Sequence, residues 1–142
     1  MSKGNTFEND LLKLIFNATA IGNIADNAGT SPLTNLYVSL HTADPGEAGD
    51  QTTSEAAYTS YARVAVARTS GGWTVTGNSV SPAADITFPT ATGGTETITH
   101  AAVGTDASGA GKLLYSGDLS TSISITSGTA PSLTTSTVIT ED

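Results

Sequence analysis

Apolar and polar positions change period once along this chain. From residue 5 to residue 17 the spacing is helical. Phe7, Leu11, Leu14 and Ile15 fall at i, i+4, i+7 and i+8, and Leu12 and Phe16 widen the stripe. Asn5 followed three residues later by Glu8 has the spacing of a capping box, and Asp10 complements the positive end of the helix dipole. The pattern predicts an amphipathic helix over 5–17. Its wide apolar stripe needs a cover, either the chain's own sheet or a neighbouring subunit.

After residue 34 the period becomes two. Leu36, Val38 and Leu40 alternate with Tyr37, Ser39 and His41, so the first three are expected to face a core and the others the opposite side. Asp44-Pro45-Gly46 then has the chemistry of a turn, since Pro45 presets φ and Gly46 accepts positive φ. Further strand-like segments are Tyr61–Arg68, Trp73–Thr76, Ile86–Phe88, Thr97–Val103, Lys112–Tyr115, Ser122–Ile125 and Leu133–Ile139. Gly71-Gly72, Asn78-Ser79, Pro89, Gly93-Gly94 and the 104–111 stretch punctuate them. Residues 35–139 thus predict roughly seven to nine strands with no helix between them. That pattern predicts an all-β fold, a jelly-roll-like antiparallel β-sandwich with one N-terminal amphipathic helix. Residues 1–34 read as an N-terminal arm, helix and connector, and residues 35–142 as the sandwich domain. The polar stretch 48–60 is long for a loop in a small domain, and such loops are usually functional or serve assembly.

Composition narrows the function. Ser and Thr supply 41 of the 142 residues, which suits pleated, half-solvated strands. Cysteine is absent, so disulfides and thiolate metal sites are excluded. The net charge is −8, and the five basic residues, Lys3, Lys13, Arg63, Arg68 and Lys112, are scattered. A nucleic-acid partner needs a basic footprint, and none is present. No apolar run approaches the length of a membrane span. The first residues lack the continuous apolar core of a signal peptide, so the chain is expected to be made and kept in the cytoplasm until it assembles.

Candidate chemistry is sparse, and neither catalysis nor a cofactor is expected. His41 and His100 are the two histidines, and with Asp44 or Glu47 they fall short of a metal-ligand spacing pattern. Asp44, Glu47 and Asp50 share one acidic loop without the order of an EF-hand. Ser39, His41 and Asp44 invite a triad reading, but alternate strand residues lie about 7 Å apart, too far for a Ser–His hydrogen bond. Gly109-Ala110-Gly111-Lys112 departs from a phosphate loop at Leu113 and Asp106. Trp73, Tyr58, Tyr61 and Tyr115 are the rings available for a sugar platform.

Several blocks together resemble small virion proteins of tailed bacteriophages. They are Leu36-Tyr37-Val38-Ser39-Leu40-His41-Thr42-Ala43-Asp44-Pro45-Gly46-Glu47, Tyr61-Ala62-Arg63-Val64, Ile86-Thr87-Phe88-Pro89, Ile98-Thr99-His100-Ala101 and Leu113-Leu114-Tyr115-Ser116-Gly117-Asp118-Leu119. With the leading helix, these blocks cover nearly the whole chain. Such proteins are often called tail fibre proteins. This chain lacks the coiled-coil or β-helical repeats of a fibre shaft, and its size and composition look more like a capsid cement or decoration protein. The resemblance implies a non-enzymatic protein, made in the host bacterial cytoplasm, that binds the major capsid protein on the outer surface of the head and clamps neighbouring subunits; the open sheet edges of a sandwich, which need covering, imply a dimer or trimer. The expected contacts are Lys3, Asn5 and Phe7 of the arm, Asp44, Glu47 and Asp50 of the acidic loop, and Glu141 near the C-terminus. The alternative is a tail-fibre or tail-tip adhesin for a host glycan or protein.

Overall fold

The structure, a computed structural model, describes residues 5–21 and 32–141; for Asn5 and Phe7 it describes the backbone alone. Among the described residues one helix, α1 (Asn5–Asn17), precedes nine strands. These are β1 (Asn35–His41), β2 (Val64–Ala67), β3 (Trp73–Thr76), β4 (Ser79–Pro82), β5 (Ile86–Thr87), β6 (Glu96–Gly104), β7 (Leu113–Ile125), β8 (Ser132–Leu133) and β9 (Ile139–Thr140). They form sheets in the orders β2-β1-β6-β7, β3-β4-β9 and β5-β8. The described residues form an all-β fold with antiparallel pairing and a single leading helix, as the periodicity predicts.

The described chain forms two compact units that interleave in sequence. One takes Met1–Asn35, Val66–Asp85 and Leu133–Asp142; the other takes Leu36–Ala65 and Ile86–Ser132. In the first unit α1 packs on β3 and β4. The most buried line of the helix is Glu8, Leu12 and Phe16, at i, i+4 and i+8. Leu11, Leu14 and Ile15, the expected centre of the stripe, are only half-buried. The reason is Trp73, whose ring meets Phe16 edge-on with centroids 4.8 Å apart and so fixes the helix's rotation about its axis.

The end of α1 is closed by two devices. Ala18 adopts φ 53°, and the Thr19 N–H returns to the Lys13 carbonyl at 3.1 Å. Arg68 donates from Nε to the Ile15 carbonyl and from its guanidinium NH2 to the Leu14 carbonyl, meeting acceptors that a helix end leaves open.

Three strand assignments differ from the sequence reading. Asn78-Ser79 is not a simple break. Thr76 pairs with Ser79, so Gly77-Asn78 is a two-residue hairpin loop, with Gly77 at φ 60°, and β4 follows at once. The two segments expected at 112–115 and 122–125 are one strand, β7. Ile98 faces Ile123 while His100 faces Asp118, so the register shifts there and Thr99 lies opposite the four residues Leu119–Ser122. The closing segment 133–139 is mostly turn, with Thr137 N–H bonded to the Thr134 carbonyl between β8 and β9.

The second unit is built on β1, β6 and β7. Leu36, Val38 and Leu40 are buried as expected, and Ile98 and Ile125 join them. Tyr58, Tyr61 and Phe88 form a ring cluster, with Tyr58 edge-on to Tyr61 at 5.3 Å and Tyr61 stacked on Phe88 at 6.4 Å.

An acidic groove over a buried polar network

Ser39 and His41 do not face solvent. Both are 0% exposed, because residues 42–56 fold back over that side of β1. The Thr42 N–H reaches the Ser54 carbonyl and the Ala56 N–H reaches the Leu40 carbonyl, each at 2.8 Å. Ser54 takes φ 54° to make the turn. His41 Nδ1 lies 2.9 Å from the Thr53 carbonyl, which only accepts, so Nδ1 carries the proton. Nε2 therefore accepts from the Ser39 hydroxyl at 2.8 Å. The predicted separation was that of the backbone; side chains on one strand face lean together and close it. Asp44 takes no part, and its Oδ1 instead accepts the Gly46 N–H. With no opening to solvent, the Ser–His pair ties β1 to its covering loop.

Around this pair runs a polar network that spans the loop and the β6–β7 turn. Glu55 receives Arg63 Nε at 2.6 Å, Arg63 NH2 at 2.8 Å and the Tyr61 hydroxyl at 3.0 Å. Tyr61 in turn accepts the Leu40 N–H. Arg63 also reaches the Asp106 and Gly109 carbonyls, which ties down the 104–111 turn. Gln51, 0% exposed, donates to the Asp106 carbonyl and accepts the Asp106 N–H. Hydrogen bonding to Glu55 raises the Arg63 pKa, and burial pushes the Tyr61 hydroxyl far above its usual value. An arginine in the otherwise apolar segment 61–67 signals a partner, and Glu55 is that partner. Nothing in the sequence marks Gln51.

Above the network, Asp44, Gly46, Glu47 and Gly49 form one wall of a groove of about 410 Å³; Leu113–Asp118 form the other, with His100 also lining it. The Nε2 of His100 contacts Asp118 at 2.6 Å, and its Nδ1 lies 2.8 Å from the Thr99 hydroxyl. Of the expected contact residues, the structure brings Asp44 and Glu47 together here. Asp50 lies outside the groove lining. Its carboxylate accepts the Thr52 N–H at 2.8 Å and hydroxyl at 2.6 Å, which lowers its pKa. Glu141 belongs to the other unit, where its N–H and carbonyl pair with Asn78. Lys3 lies outside the described residues, as do the side chains of Asn5 and Phe7.

Trp73 and Tyr58 are buried in separate cores, so neither offers a sugar platform; Tyr115 remains at the groove. Among the described residues no three potential metal ligands converge, and both histidines have partners for both ring nitrogens. No helix among the described residues is long and apolar enough to cross a membrane.

Comparison with protein families matches residues 2–141 to the family described as Podophage GP4 fiber I protein gp80. Comparison with curated proteins finds no match.

Proposed function

The chain belongs to the family described as Podophage GP4 fiber I protein gp80 and is a phage virion structural protein, and on that ground we propose that it is a subunit of a virion fibre. The family match across residues 2–141 is the observation that carries this reading. A fibre subunit works by contact rather than by chemistry. The groove wall at Asp44 and Glu47 is the surface we assign to a neighbouring virion protein, with a dimer or trimer of the chain as the unit that binds. Repeated modest contacts in such an assembly reinforce one another through effective concentration.

The competing assignment is a cement protein clamping the major capsid protein, which the small size and acidic charge favour. Copy number per virion, measured by quantitative mass spectrometry against the major capsid protein, separates the two. A few copies, with antibody label on the tail or its fibres, would support the fibre. A ratio near one chain per capsid subunit, with label over the head, would replace it with the cement reading.

A further inference from the structure

Buried histidines are tolerated when neutral and paired. His41 is both, and its position gives a drop in pH a defined target. Its two ring nitrogens are spent on Ser39 and Thr53. A second ring proton would turn Nε2 from acceptor to donor. The Ser39 hydroxyl, 0% exposed, would then need another acceptor for its own proton. The new charge would also be out of reach of water.

The charged and titratable groups around His41 give little relief. Glu55, from the covering loop, favours the charge, but both its oxygens are committed to Arg63 and one also to Tyr61. Arg63 opposes the charge, and so does His100, which faces His41 across the β1–β6 ladder. Asp118, on β7, is held by His100 rather than by His41.

Water can reach the ring if residues 42–56 lift away. Two bonds hold the loop to β1, Ala56 to Leu40 and His41 to Thr53; elsewhere Gln51 holds it to Asp106 and Ala110, and Glu55 holds it to Arg63 and Tyr61. The β1–β6–β7 ladder does not run through the loop. We infer that Ser39, His41 and Thr53 form an acid-operated latch, which on protonation of His41 releases residues 42–56, and with them the Asp44 and Glu47 wall of the groove, while the ladder stays paired. The latch holds whether the chain sits in a fibre or on a head.

The sign follows from burial, which lowers the imidazole pKa from its ordinary 6.5. The closed loop is at full strength above about pH 6.5 and weakens as pH falls toward the lowered value. Hydrogen exchange of the full chain at pH 7.5 and 5.0, corrected for the intrinsic pH dependence of exchange, tests this. Protection of 42–56 should fall by up to about 30-fold relative to 96–104, the limit set by about 1.5 pH units below the ordinary value. His41→Asn keeps a donor toward Thr53 without titrating, and should remove the pH dependence. Should that variant not fold, NMR of the His41 ring in the natural chain decides in its place. Equal loop protection at both pH values would overturn the latch. So would loss of loop and ladder together, or a ring that titrates normally beneath a protected loop.

Discussion

Glu55 grips Arg63 through both carboxylate oxygens, at 2.6 Å and 2.8 Å, and the Arg63 side chain is 2% exposed. Two-pronged geometry of this kind fixes orientation as well as distance. The pair joins the loop after β1 to the segment before β2, and Arg63 extends the tie to the β6–β7 turn. Truncating one partner leaves the other desolvated.

Arg63→Ala should therefore cost about 3 kcal/mol in urea-unfolding stability. Arg63→Lys should recover little of it, since an ammonium cannot span both oxygens and the two turn carbonyls. Losing Glu55 as well should cost less than the sum of the two single changes. Additive losses would mean that the pair is not coupled.

Phe16→Ala should cost about 3–4 kcal/mol, because the ring is fully buried against Trp73. Trp73 is the sole tryptophan, so its fluorescence reports the loss of α1 from β3 and β4 directly. A red-shifted emission before global unfolding is expected. An unchanged spectrum and midpoint would contradict the packing.

Much of this was legible in the sequence, and the failures share a cause. Helical spacing marked α1, and alternation marked β1, because both signals are local. The rotation of α1 was not legible, since Trp73, which sets it, lies far along the chain. Nor was the burial of Ser39 and His41. Alternation shows that they share a face of β1, but the cover on that face is a polar loop with no apolar period. The Gly77-Asn78 hairpin was not legible because Asn78-Ser79 has turn chemistry whether it ends a sheet or closes a hairpin, and the continuity of β7 was not because regular alternation lapses over 116–121. Asp44 and Glu47 lie in one loop and so are neighbours already in the sequence, whereas His100 and Asp118 reach the groove only through the register of β6 and β7.

Gly104→Ala should destabilise through one contact. A methyl group there would sit 2.2 Å from the buried Gln51 Cδ. We expect a loss of about 1–3 kcal/mol from overpacking. Gln51→Ala in the same chain should return part of it despite removing two hydrogen bonds. Thermal melts of the single and double variants check this, and no recovery would place the strain elsewhere.

Ala18→Gly should stabilise the chain by about 0.5–1 kcal/mol, since a left-handed φ is strained for alanine and free for glycine. The gain should appear as a higher urea midpoint at unchanged slope. A lower midpoint would show that the alanine methyl contributes more than its backbone strain costs.

The interleaving of the two units imposes an order on synthesis. The unit made of Leu36–Ala65 and Ile86–Ser132 has left the ribosome before Leu133–Asp142 follows. α1 is made before the sheet on which it packs, and β9, the edge of that sheet, follows the whole of the other unit. Until β9 has emerged, Leu12 and Phe16 face an incomplete surface, and a chaperone or a sister chain has that interval in which to meet them.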